Sequence, residues 1–394
     1  MLTSKVFLLR NHSRQETSSV LCWITQKRSL VSKPQVAEKH SYFTPLPHED
    51  LALQFKHRLA GRKYLPGSKG ESFPEFLAPA RKGFPYALRA DPVSHVSVEK
   101  WGQLCREQLD RAIPEYNAVL FRNLPLFEAG DFAKFTSSLG YKPTSYEGGT
   151  GNRYLAEGET EVYLSTSDPP DFNIELHNEM ACSPVYPKKI VFFCLTEPNE
   201  EWGGVTPLVR NCEVFAQLDP EVLKKLEERK IRYTRYLPDE KHKPYASWQQ
   251  SFMTKDPKKV EEFLQREKFN YEWEKDTGNL YYWYTLPPLA THPITGRKIW
   301  FTQPNVHHNT YYKESPMFDD VTIPDHMYPT HTTYGDGSEI DPEVIEHIRA
   351  TGWRNAVGFP WRKRDVLVLD NLAVQHGRLS FKGDRQILAY LTAE

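Results

Sequence analysis

Apolar positions along the chain switch between two spacings, and the switches mark its elements. Short unbroken apolar runs at Asn117 to Asn123 (NAVLFRN), Ile190 to Leu195, Asp365 to Asp370 (DVLVLD) and Gln386 to Leu391 predict buried strands. Helical spacing predicts a helix over Val96 to Ala112, opened by Ser97. A second is predicted over Phe127 to Leu139, where Phe132, Phe135 and Leu139 share a face and Gly140 ends the run. Others are predicted over 211–230 (interrupted at Pro220), 256–268 and 341–351. Residues 41–90 are rich in Pro, Gly and charge and predict extended loops wrapping a domain. The sequence contains no internal repeat and no clear linker after residue 90. Short strands with scattered helices predict a mainly-β fold, a β-sandwich or jelly-roll core with helical insertions over 91–394.

Composition narrows the class. Apolar residues are 39% and charged residues 26% of 394, a soluble folded composition rather than a disordered one. No apolar run approaches the ~20 residues of a membrane helix. Balanced charge, 50 basic against 51 acidic residues, argues against bulk binding of nucleic acid. The first 40 residues differ: seven Lys or Arg against two Glu make them +5, with frequent Ser and Thr. That composition reads as a mitochondrial transit peptide and predicts a matrix address. The five cysteines are odd in number and form no CxxC pair, so free thiols in a reducing compartment are expected.

The chemistry starts from absences. There is no GxxxxGK[ST] loop, no GxGxxG after a strand and no GxSxG elbow. Instead, His177 and Glu179 stand two apart in ELHNEM, where a strand would aim both at one point. An HxE alone reads as a solvated pair. A second stretch, VLVLDNLAVQHGR, places His376 just after a buried strand that ends in a turn. Two His and one carboxylate on one side of a metal make the facial triad of non-haem Fe(II) oxygenases, with positions left open. Arg385 follows nine residues after His376 at the head of the next strand, which would carry its guanidinium back toward the metal. Arg suits a carboxylate in two-point pairing. Gly203-Gly204-Val205-Thr206-Pro207 offers close backbone approach and a hydroxyl for the same carboxylate. His307, His308, His326 and His331 are expected to be structural or solvated, and Tyr281 to Tyr284 to be alternating strand packing. The Gly-rich stretch 146–153 is a candidate lid.

The order HNE, GGVTP, DNxxxxHGR, GDRQIL resembles the taurine dioxygenase and clavaminate synthase superfamily of Fe(II)/2-oxoglutarate dioxygenases. Residues 119–140 resemble that family's first strand and helix, and His292 to Lys298 (HPITGRK) resembles its HPxTGRK segment. Within the superfamily, HNEMA, Pro187 to Cys194 and Thr333 to Gly337 look most like the clavaminate synthase-like proteins. The similarity spans about residues 85–394.

The resemblance implies a double-stranded β-helix (jelly roll, cupin-like) core. It implies Fe(II) on His177, Glu179 and His376, with 2-oxoglutarate as co-substrate on Arg385 beside Thr206. Arg378 is the runner-up for 2-oxoglutarate or for an anionic substrate group. No catalytic residue beyond these ligands is implied. Many relatives carry HxD; Glu179 is one methylene longer, still reaches a metal, and disfavours halogenation. The implied reaction hydroxylates a small amino-acid-like or carboxylate-bearing metabolite, consuming O₂ and releasing succinate and CO₂. One alternative is a carnitine-pathway hydroxylase of quaternary ammonium substrates, although the cysteine-rich zinc module of those enzymes is absent. The others are a catalytically idle ligand-binding member and a structural metal-binding jelly roll.

Overall fold

The apolar run in Lys189–Thr196 is unbroken because both faces of that strand are covered. Val191 and Phe193 enter one hydrophobic cluster, while Ile190, Phe192 and Cys194 enter another. The computed structural model describes residues 42–92, 95–144, 154–166, 168–242 and 245–394. In it this strand belongs to a seven-stranded sheet ordered Phe43–Leu46, Tyr86–Ala90, Ala118–Arg122, Val366–Asp370, Lys189–Thr196, Gln386–Thr392, Tyr163–Leu164. Only the pair Tyr86–Ala90 and Ala118–Arg122 is parallel, and the helix Val98–Tyr116 supplies the crossover such a pair needs.

That helix and Ala129–Ser138 cover the outer face, burying Trp101, Leu109, Phe132 and Phe135 against Val119, Phe121 and Val366. Phe132 stacks on Phe193 with ring centres 5.1 Å apart. The inner face meets a five-stranded sheet ordered Ala78–Pro79, Val357–Gly358, Leu208–Arg210, Val374–Arg378, Ile174–His177. Leu208, Val357 and Val374 of this sheet share a core with Leu120, Phe192, Leu367 and Leu391 of the other. A four-stranded antiparallel sheet ordered Asn270–Trp273, Leu280–Leu286, Ile231–Leu237, Thr330–Tyr334 completes the wall. The fold is mainly β with peripheral helices.

Two local expectations change. The first helix ends at Tyr116 rather than Ala112, running through Pro114 to Asn117 in the left-handed region (φ 64°). The carbonyl that Pro114 leaves without its helical N–H belongs to exposed Asp110, where water can serve it. Residues 41–90 are not loops alone: Phe43–Leu46 and Tyr86–Ala90 are strands, and Pro45 is tolerated because its strand lies at the sheet edge. Cys105, Cys182 and Cys194 are buried free thiols. The basic segment 1–40, with Cys22, and the whole Gly-rich stretch 146–153 lie outside the described residues. No helix among the described residues is long and apolar enough to cross a membrane.

Candidate metal centre

The strands Ile174–His177 and Val374–Arg378 are antiparallel neighbours, and His177 and His376 are direct cross-strand partners. Their ring centres lie 4.3 Å apart. The expected local geometry is corrected at two points. The first strand ends at His177, so Glu179 stands in the following turn, with Met180 at φ 56°. His376 sits inside its strand, and the turn precedes it. The convergence holds: one ligand atom from each of His177, Glu179 and His376 lies within 4.8 Å of the others. Glu179 Oε2 is 3.7 Å from His376 Nε2.

The donor chemistry fits a metal. His177 Nδ1 lies 2.8 Å from the Glu175 carbonyl, which can only accept, so Nδ1 carries the hydrogen. A ring that carries its hydrogen on Nδ1 has its lone pair on Nε2, the atom suited to a metal. Two imidazoles and a carboxylate on one side match the facial set that suits Fe(II) and leaves positions open.

Four amide side chains hold the turn that carries Glu179. Asn371 Nδ2 donates to the carbonyls of Glu179 (2.9 Å) and Pro187 (2.7 Å), and its Oδ1 accepts from Glu179 N–H (2.7 Å). Asn178 Nδ2 donates to the carbonyls of Asn371 (2.6 Å) and Val374 (2.9 Å). Asn211 donates to Asn178 and accepts from Gln375. All four are buried. Asp370 leads into this turn and meets His292 Nε2 at 3.0 Å, which ties the HPITGRK hairpin to the site. Asn371→Ala removes three hydrogen bonds, two of them to the backbone of Glu179 and one to Pro187. We expect iron affinity to fall roughly 10- to 100-fold, read by competition with a chelator, with a lower Tm. Unchanged affinity would contradict the role given to Asn371.

Opposite the triad, Arg385 Nε donates to the Gly204 carbonyl (3.0 Å) and Nη2 to Thr206 Oγ1 (3.3 Å). Trp361 Nε1 donates to the same hydroxyl (2.9 Å). Arg385 is partly buried and has no carboxylate within 4 Å among the described residues. Removal from water, and then the nearby Arg378 charge, pull its pKa down to about 9, so it stays a cation at neutral pH. Its strand, Gln386–Thr392, is not the neighbour of the His376 strand; it belongs to the seven-stranded sheet, and Arg385 reaches the site across the sheet interface.

The glycines explain the close approach. A Cβ on Gly203 (φ +100°) would stand 2.0 Å from the Ser380 carbonyl oxygen. Gly203→Ala is therefore expected to cost at least ~2 kcal/mol, seen as a lower urea midpoint; an unchanged midpoint would refute the constraint.

Arg378 does not share the regular face of His376, because a bulge separates them. Its guanidinium donates to the carbonyls of Asp168 (3.1 Å), Pro169 (2.6 Å) and Phe172 (2.8 Å) and so fastens that loop. It lines the cavity, but these donors are already engaged.

The cavity is about 340 Å³ and continues past the triad to Arg235, Gln303 and His307. None of these three was singled out as a site residue from sequence. A signal for Arg235 existed: in IRYTRYL it shares the parity of buried Ile231 and Tyr233. Gln303 Nε2 pairs with His307 Nε2 at 2.9 Å. Burial, then the charges of Arg235 and His177, hold His307 down near 3, so it is neutral.

His308, His331 and Glu339 also gather. There, however, His308 Nδ1 accepts from Thr310 N–H and His331 Nδ1 from Asn309 N–H, so both rings serve backbone turns. Tyr281 to Tyr284 lie on a strand, and none lines the cavity.

The family model described as taurine catabolism dioxygenase TauD, TfdA family matches residues 80–391. The chain is 30% identical over 315 residues to the dapdiamide synthesis protein DdaC of Enterobacter agglomerans, covering 79% of this chain and 92% of that protein. It is 28% identical over 329 residues to a clavaminate synthase-like protein of Arabidopsis thaliana, covering 82% and 94%. Among solved structures, PvcB of Pseudomonas aeruginosa aligns at a TM-score of 0.45 and 13% identity, covering 92% of this chain and 94% of that one.

Proposed function

This chain belongs to the TauD, TfdA family and is an Fe(II)- and 2-oxoglutarate-dependent dioxygenase; from that premise we propose that His177, Glu179 and His376 hold the iron, and that Arg385 with Thr206 receives the distal carboxylate of 2-oxoglutarate. The observation that carries this reading is the convergence on one cavity of three donors and a cation that has no carboxylate within 4 Å among the described residues.

Iron, when bound, supplies O₂ activation coupled to oxidative decarboxylation of 2-oxoglutarate to succinate and CO₂. The protein's own groups do the rest. The Glu175 carbonyl keeps the hydrogen of His177 on Nδ1, so Nε2 stays a donor. Asn371 fixes the turn that aims Glu179. Thr206 Oγ1 already accepts from Trp361 and Arg385, which leaves its own hydrogen to donate to a carboxylate oxygen. Phe192 and Ile387 add apolar surface to the same cavity, and a less polar lining strengthens charge pairing there.

The two facing sheets we read as a double-stranded β-helix over 91–394 wrapped by 41–90, and the +5 segment 1–40 as a mitochondrial matrix address. The substrate is a small carboxylate-bearing or amino-acid-like metabolite, a reading supported by the arginines on the cavity wall. The quaternary-ammonium alternative draws no support from Tyr281 to Tyr284, which lie off the cavity.

The test is anaerobic titration of the purified chain with Fe(II) and 2-oxoglutarate. A visible metal-to-ligand charge-transfer band is expected, followed on oxygenation by succinate. Iron uptake without a band would sink the proposal.

A further inference from the structure

We propose that Arg235 anchors a carboxylate of the substrate, so that the enzyme takes small carboxylic acids bearing a hydrogen-bond donor, α-amino acids being the simplest; this rests on the site reading given above. Arg235 comes from Ile231–Leu237 of the four-stranded sheet, whereas the triad strands belong to the five-stranded sheet. It nonetheless lines the same cavity as His177, Glu179 and His376.

The other arginines that face this region have partners. Arg378 holds three carbonyls, and Arg385 holds Gly204 and Thr206 beside the place assigned to 2-oxoglutarate. Arg349 has Asn305, Thr310 and the Glu175 carboxylate. Arg235 differs in what answers its charge: it bonds the Tyr282 hydroxyl, which is neutral, its Nε is buried without a hydrogen-bond partner (as are those of Arg349 and Arg378), and unlike Arg349 it has no carboxylate within 4 Å among the described residues. The titratable groups named as acting on its charge are Tyr282, Tyr312, Cys182 and Tyr284, all neutral at physiological pH because burial raises their pKa values.

A partly buried guanidinium without a carboxylate counter-ion is costly, and the cavity it lines gives an anion access. The planar fork matches a carboxylate at two points. Gln303 adds the second element. Its Oε1 is buried without a partner and lines the cavity, while its Nε2 is engaged by His307. An acceptor without a partner and a cation without a carboxylate counter-ion on one cavity suit a ligand that presents a carboxylate and an N–H or O–H. Arg235 binds rather than reacts, and it sets which molecules are placed before the metal.

The test uses the full chain. The probes are the common L-amino acids and their carboxamides. Binding is read by calorimetry on the metal-free protein, and again anaerobically as a shift of the Fe(II)/2-oxoglutarate band. At least one acid is expected to bind. Its carboxamide should bind at least ~10-fold more weakly, and Arg235→Met should raise the Kd of the acid roughly 10- to 100-fold while erasing the acid–amide difference. Arg235→Lys should restore part of the affinity.

Absence of binding by every acid, equal binding of acid and amide, or an unchanged Kd in Arg235→Met would each overturn the proposal. The acid–amide comparison is made on the unmodified protein and does not depend on a variant folding. Failure of the metal reading shows separately, as loss of the band when 2-oxoglutarate is added without any probe.

Discussion

Alanine at His177 or His376 is expected to lower succinate formation by on the order of 1,000-fold or more, with loss of stoichiometric iron. Each imidazole is one of only three protein donors in the cluster, and no fourth His, Cys, Asp or Glu joins it among the described residues. A two-donor remnant competes poorly with solvent for a divalent cation. The effect should be specific to the metal, because His177→Gln and His376→Gln fill similar space and should fail equally. His376 also packs edge-on to Phe192 at 5.1 Å, so its alanine variant should lose some stability as well. Glu179→Asp is the informative contrast: it keeps the charge, shortens the reach and should retain measurable turnover. Iron retention with more than a tenth of the original rate in either alanine variant would remove these histidines from the metal site.

Arg385→Met should raise the KM for 2-oxoglutarate roughly 100-fold, about 3 kcal/mol of lost charge-assisted pairing. Iron content should stay near wild type. The expectation follows from what surrounds the guanidinium. Gly204 and Thr206 take two of its hydrogen bonds, yet both partners are neutral and no carboxylate lies within 4 Å among the described residues, so an anion is what its charge calls for. Methionine preserves most of the stem that packs beside Gly204, which a Cβ there would approach to 3.1 Å from Arg385 Cδ. Turnover at saturating 2-oxoglutarate separates a binding loss from a folding loss. An unchanged KM would move the co-substrate anchor elsewhere.

What could be read from the sequence depended on whether its cause was local. The strands around Val191 and Leu367 were legible because burial on both faces leaves no polar residue to interrupt the run. Helix starts at Ser97 and Asp256 were legible because each side chain caps the turn directly after it. His177, Glu179 and His376 were legible as a chemical set. Their backbone was not: the turn after His177 is held by Asn371, which is far along the chain. Arg385 was picked out for its residue type, but the sheet that carries it follows from strand order, which no short motif encodes. Arg378 looked available because nothing nearby in sequence reveals the loop carbonyls that occupy it. Arg235 shows the reverse. Its alternating position signalled a buried face, but a charged residue in a strand reads by default as solvated.

The division of the site between two sheets bears on how this enzyme can change over evolutionary time. The imidazole spacing is fixed by one strand pair, whereas the distance from that pair to Arg385 is fixed by the thickness of the core between the sheets. Side-chain volume at Leu120, Leu367 or Leu391, within that core, therefore acts as a shim. Drift at those positions can retune the demand for 2-oxoglutarate, while the strand pair that sets the imidazole spacing is inherited unaltered.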